Sequence, residues 1–196
     1  GWISDDTDAA ERVRIQYGTS MCYPISSMGS HVSVVPNHQL NRITSLHTRA
    51  NVAYFGTFGY ELDLNKLTDE EIAEVKAQII FMKEYRELIQ FGNFYRLKSP
   101  FDGNETVWMT VSEDKRKALV FWYRERNVVN AEFTRVRLQG LDPDLIYKNE
   151  YNGTENYGDE LMNLGLLTTD VTAGEPTNED LPCTDYESRI YVLTAE

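Results

Sequence analysis

A chain of 196 residues, 41% of them hydrophobic and 12% aromatic, holds enough apolar side chains for one large or two small packed domains, which excludes intrinsic disorder. Its 31 acidic residues outweigh 19 basic ones, leaving a net charge of −12 without a basic footprint, so nucleic acid is excluded as a partner and a neutral substrate fits. No stretch approaches the roughly twenty apolar residues that span a bilayer, so no membrane partner is expected.

The opening GWISDDTDAAERVRIQY predicts the end of a strand, an acidic turn and a helix that opens at Asp8. Asp8 and Glu11 have capping-box spacing, each side chain satisfying a free backbone N–H at the helix start. Asp5 is left in the turn, at the C-terminal end of a strand just before a helix. In a barrel of alternating strands and helices, catalytic side chains sit on that face. On spacing alone, caps and solvated charge account for such a cluster more often than catalysis does. A calcium loop fits poorly, because Ala10 stands where the next oxygen ligand belongs. The chain begins without methionine and its first strand ends almost at once, so its start reads as a cut through something larger. Cys22 and Cys183, far apart, are expected to be buried free thiols suited to a reduced interior, and a cytoplasmic location is expected with them. The sequons at 104–106 and 152–154 read as chance matches in turns.

After the first helix, residues 19–26 (TSMCYPIS) predict a short apolar strand, and residues 27–31 a loop rich in small side chains. A second loop, 35–39, leads to a modest helix around 41–51. Residues 52–64 (VAYFGTFGYELDL) begin as a near-continuous apolar run, the pattern of a strand buried on both faces, with Gly56 and Gly59 marking bends or close backbone approach. The strongest helix follows. Thr68 to Glu71 form a capping box, Ile72, Val75, Ile79, Met82, Tyr85 and Ile89 share one face, and Gly92 is the stop. Three successive strand–helix units imply a parallel sheet, though three do not close a barrel. After about Lys98, short β-type runs at 107–111, 118–123, 133–138 and 189–193, separated by acidic and glycine-bearing turns, predict an antiparallel β-sandwich. The expected division is therefore 1–97, α/β, and 98–196, all-β.

Other chemistries find no support in the spacing. His31, His38 and His47 lack metal-ligand intervals, the serines of 26–30 lack the nucleophile-elbow order, and no glycine-rich loop is spaced to cradle phosphate, so neither metal nor cofactor is expected. The aromatics beyond residue 98 alternate at strand period, as core residues do.

The segments WISDDTD (2–8), RIQYGTS (14–20), YPISSMGSHVS (23–33), PNHQ (36–39), FGTFGYELDL (55–64), YRELIQFG (85–92) and GDELMNLGL (158–166) together resemble the bacterial α-galactosidases of glycoside hydrolase family 36. The resemblance runs end to end. It implies a parent with an N-terminal β-sandwich, a (β/α)8 catalytic barrel and a small C-terminal antiparallel sandwich, of which this chain would hold the last three β/α units and the C-terminal sandwich. The first aspartate of the family's S-D-[DN]-T-D motif is the general acid/base, which carries over to Asp5. The family's nucleophile lies in a K-W-D motif that this chain does not contain, and the cysteine–glycine-rich segment that contacts the sugar is absent too. Retaining glycosidases need two carboxyl groups about 5–5.5 Å apart, and Asp5 can serve only as the proton donor. The resemblance therefore implies part of a retaining enzyme that releases terminal α-linked galactose from oligosaccharides such as melibiose and raffinose. Its partners would be the α-galactoside and the remainder of the parent enzyme, with homo-oligomerisation in the complete protein and no activity from this chain alone. For His31 a structural hydrogen bond near the active face is expected. The alternative is a non-catalytic fragment acting as a structural or carbohydrate-binding module.

Overall fold

In the computed structural model, which describes residues 1–128, 133–168 and 185–195, Asp8 opens helix α1 (Ala9–Thr19) by accepting the backbone N–H groups of Ala10 and Glu11, both at 3.1 Å. The reciprocal half of the expected capping box is missing. The Asp8 backbone N–H goes to Asp6 Oδ1 at 2.9 Å, which frees Glu11 to lie 3.6 Å from Arg42. Ala9, Ala10, Val13 and Tyr17 form the buried face of α1.

The chain divides into two compact units, Gly1–Gly92 and Asn93–Glu196. In the first, strands β1 (Gly29–Ser33) and β2 (Thr57–Glu61) form a parallel ladder, helix α2 (Leu46–Ala53) runs between them in sequence, and helix α3 (Asp69–Phe91) follows. Three local expectations are corrected. The strand expected over 19–26 does not form: Thr19 ends α1, and turns with a short 3-10 segment, Ile25–Ser27, follow it, because the chain folds back on itself through Cys22 and Tyr23 N–H bonds to the Thr19 carbonyl. Cys22 consequently lies at the surface as a free thiol, not in the core; Cys183 lies outside the described residues. The strand forms one step later, on the small residues expected to be loop, since Ser30 must accommodate the backbone of Gly56, where a Cβ would come within 2.5 Å of Ser30 Cβ. Helix α2 is capped by Ser45, whose hydroxyl accepts the Thr48 N–H at 3.0 Å, and it carries Val52 and Ala53 into the helix because both are buried there; burial overrides their sequence context.

Helix α3 forms as expected. Thr68 Oγ1 accepts the Glu71 N–H at 3.2 Å, Glu71 returns the bond to the Thr68 N–H at 2.9 Å, and Gly92 is the C-cap. Its buried face adds a polar residue, Gln78, to Val75, Met82 and Ile89.

The second unit is antiparallel throughout its described ladders. Strands β3 (Asn93–Lys98), β4 (Glu105–Val111), β5 (Lys117–Arg124), β7 (Ile146–Asn149), β8 (Glu155–Tyr157) and β10 (Glu187–Ala195) order as β3-β4-β5-β10-β7-β8, and a ribbon pairs β6 (Arg135–Val136) with β9 (Leu166–Leu167). The first of these strands starts at Asn93, whereas the sequence reading put the division between 97 and 98. Val107, Met109, Val111, Ala118, Val120, Trp122, Tyr191 and Leu193 point to one face, where Val136, Leu138, Leu166 and Leu161 of helix α4 (Gly158–Asn163) complete a core. The aromatics Trp108 and Phe121, on the opposite face, are buried too and stack at 4.8 Å. Among the described residues no helix is long and apolar enough to cross a membrane.

Candidate active site

Five acidic or hydroxyl side chains, residues 4–8, crowd the turn before α1, and their hydrogen bonds assign them different tasks. Ser4 Oγ accepts the Asp6 N–H at 3.0 Å, and Asp6 accepts the Asp8 N–H, so the turn is held from within. Asp8, 3% exposed, caps the helix and makes an ion pair with Arg42. Asp5 is exposed at the apex, and its Oδ1 accepts the Trp2 indole N–H at 2.7 Å. The turn thus commits Asp6 and Asp8 to structure and presents Asp5.

Strand β1 supplies the neighbouring wall. The Gly29 N–H donates to the Gly1 carbonyl at 2.7 Å, so the chain leading into Trp2 is tied to the start of that strand. His31 projects beside Trp2, with ring centroids 5.6 Å apart, and its Nδ1 lies 3.8 Å from Glu61 Oε2 at the end of β2. Gly59 is the ladder partner of His31, and a Cβ there would press on the imidazole at 3.3 Å. In place of the structural hydrogen bond expected for His31, the structure shows an aromatic contact and a carboxylate 3.8 Å away, beyond hydrogen-bond distance.

Buried polar side chains hold this arrangement from beneath, and spacing alone did not identify them. Arg12, 5% exposed, reaches the carbonyls of Gly29 and Ser4, bridging β1 to the acidic turn. Burial lowers its affinity for the proton, while the charges of Asp6 and Glu61 oppose that shift. Asn37 donates to Thr7 Oγ1 at 3.2 Å and accepts from the backbone N–H groups of Gln39 and Leu40, fixing the 35–39 loop against the turn. Gln16 donates to the Val52 and Phe55 carbonyls and accepts from Ser30 Oγ. Each is polar, buried and bonded across long sequence separations, so a one-dimensional pattern carries no signal for it.

His38 and His47 are both exposed, and His47 Nε2 lies 2.9 Å from Asn51 Nδ2. In the second unit a cavity of about 530 Å³ is bordered by Lys98, Asn104, Glu105, Arg124 and Thr134. These groups serve one another: Glu105 pairs with Lys98 and accepts from Thr134 and the Trp122 indole, and Arg124 pairs with Glu187.

Comparison with known proteins places these features in a lineage. Residues 1–92 match the Melibiase family model and residues 105–193 the glycosyl hydrolase family 36 C-terminal domain. The chain is 54% identical over 165 residues to alpha-galactosidase AgaA of Geobacillus stearothermophilus, covering 84% of this chain and 22% of that protein. It is 48% identical over 165 residues to the bifunctional alpha-galactosidase/sucrose kinase AgaSK of Mediterraneibacter gnavus, covering 84% of this chain and 18% of the relative. The crystal structure of AgaA superposes with a TM-score of 0.89 and 48% identity over 98% of this chain and 25% of AgaA. Variants of AgaA have been crystallised with raffinose and with stachyose. The chain therefore spans about a fifth of the length of the curated relatives it matches.

Proposed function

The chain belongs to glycoside hydrolase family 36, and from that membership we propose that it is the C-terminal part of a retaining α-galactosidase, in which Asp5 is the general acid/base and the nucleophile comes from outside residues 1–196. Within this reading the first unit supplies the last three β/α units of a (β/α)8 barrel and the second a C-terminal antiparallel sandwich. The parallel β1–β2 ladder with α1, α2 and α3, and the antiparallel β3–β10 sheet, support that assignment. Raffinose-type oligosaccharides are the proposed substrates, on the strength of the raffinose and stachyose complexes of AgaA variants. A cytoplasmic location and homo-oligomerisation of the complete enzyme belong to the same proposal.

The observation that carries it is the division of labour in the acidic turn. Asp5 stands exposed at the apex, while Asp6 and Asp8 are consumed by backbone N–H groups and Arg42. In the first half-reaction Asp5 gives its proton to the glycosidic oxygen as the C1–O bond breaks and the nucleophilic carboxylate bonds to C1. In the second, the Asp5 carboxylate takes a proton from water as that water bonds to C1, the bond from C1 to the nucleophilic carboxylate breaks, and galactose leaves with its configuration retained.

The test is Asp5→Asn in the complete enzyme. Hydrolysis of raffinose, whose leaving group needs protonation, is expected to slow by roughly 10²–10⁴-fold, the range a general acid contributes. Activated aryl galactosides should be cleaved much faster than raffinose by the variant, and azide should restore turnover by yielding α-galactosyl azide. Raffinose turnover within a few-fold of the unmodified enzyme would remove Asp5 from the role.

A further inference from the structure

A carboxylic acid that donates a proton has one oxygen carrying the hydrogen and one presenting lone pairs, and a protein that fixes which is which orients the transfer. Trp2 sits three residues before Asp5 and donates its indole N–H to Oδ1 at 2.7 Å. Indole nitrogen is a donor only, so Oδ1 must face it with a lone pair. Resting on the acid/base reading of Asp5, we propose that Trp2 is the positioning residue of the proton donor: it occupies Oδ1 as an acceptor and confines the transferable proton to Oδ2. When Asp5 returns as the carboxylate, the same N–H donates a charge-assisted bond and keeps the group in place to receive the proton of water.

The surroundings of Trp2 support a positioning task. The orientation of the ring is set by contacts at both ends of the segment that carries it. His31 lies against the indole, with planes inclined by 33°, and is itself set beside Glu61 on the adjacent strand. The backbone before Trp2 is tied to β1 through the Gly1 carbonyl and the Gly29 N–H. Gly59 leaves the imidazole the room it needs, since any side chain there would crowd His31. The chain of contacts Glu61, His31, Trp2, Asp5 thus runs from two adjacent parallel strands to the acidic apex.

The experiment compares Trp2→Phe, which keeps a ring and loses the N–H, with Asp5→Asn and the double variant, all in the complete enzyme. For Trp2→Phe, kcat on raffinose is expected to fall roughly tenfold or more, inside the range a general acid supplies, with KM little changed. Nitrophenyl galactoside should be hydrolysed within a few-fold of the unmodified enzyme. The double variant should be no slower than Asp5→Asn alone, because the two residues act as one unit. Trp2→Gln restores an N–H the same number of bonds from Cα and is expected to recover part of the raffinose activity. If Trp2→Phe leaves raffinose untouched, or slows both substrates alike, or adds its loss to that of Asp5→Asn, the positioning role is overturned while the acid/base reading stands. If Asp5→Asn itself is silent on raffinose, both fall together.

Discussion

At the scale of single residues, the first unit is organised by buried polar side chains whose partners are distant in sequence. Gln16 satisfies two carbonyls and one hydroxyl at once, so Gln16→Ala should destabilise the chain by on the order of 2 kcal/mol or more, read as a lowered urea midpoint. An unchanged midpoint would mean that water replaces the carboxamide. Tyr60 adds a pH dependence. Burial, and then the nearby charge of Glu74, push its phenol up to about 12, and burial raises Tyr54 as well. An unfolded tyrosine ionises near 10, about two units lower. Because the folded-state value is raised, the unit keeps its full stability below about pH 10 and loses it as the pH climbs toward 12. Tyr60→Phe removes one ionising group at the cost of the 2.8 Å bond to Gln78 Oε1. Its urea midpoint should therefore drop less between pH 9 and pH 11 than that of the parent; an equal drop would assign the alkaline sensitivity elsewhere.

At the scale of elements, what could be read from the sequence was what local chemistry decides. Helices α1 and α3 announce themselves through Asp8, Thr68 and Glu71, which act on N–H groups within three residues of themselves. The place of Asp5 in the turn was legible for the same reason, since the cap at Asp8 leaves it there. Strand β1 was not, because GSHVS sets a single β-branched residue, Val32, among small and polar ones; it becomes a strand only when β2 and the Gly56 backbone lie beside it. The close approach at Gly56 was visible as a glycine in an apolar run, but the partner it approaches was not. In the second unit, short β-type runs identified β4, β5 and β10, while the insertion of β10 between β5 and β7 is a long-range pairing that no local pattern encodes. Gly158 offers a test of how tightly such long-range geometry is set. It opens α4 with its N–H bonded to the Leu145 carbonyl at 2.9 Å, and a Cβ would overlap the Asp142 carbonyl oxygen. Backbone cannot yield as a side-chain tip does, so Gly158→Ala should lower the thermal midpoint by several degrees, about what 1–3 kcal/mol of strain produces in a unit of this size. A melting curve that superposes on the parent's would show that the turn around 142 is free to shift.

At the scale of the whole molecule, the proposed reading gives this sequence one proton-transferring carboxylate, Asp5, and the sequence contains no K-W-D segment, while retaining hydrolysis needs two carboxyl groups about 5–5.5 Å apart. Three other aspartates of the first unit have prior engagements. Asp6 holds the backbone of the turn, and Asp8 is buried under Arg42. Asp63 caps the segment Leu64–Lys66, where the backbone and side-chain N–H groups of Asn65, at 3.1 and 3.0 Å, hold it below the usual carboxylate range. Proton donation alone is worth roughly 10²–10⁴-fold, far short of the 10⁶-fold and more that enzymes reach, so the isolated chain should show no useful turnover of a nitrophenyl α-galactoside. Mixing it with the portion of AgaA that it does not cover should restore hydrolysis if the two associate as a barrel, and Asp5→Asn in this chain should then abolish the gain on raffinose. Turnover by the unassisted chain would instead show that Asp6 or Asp63 leaves its structural bonds to act as nucleophile, and would overturn the reading in which Asp5 is one half of a divided site.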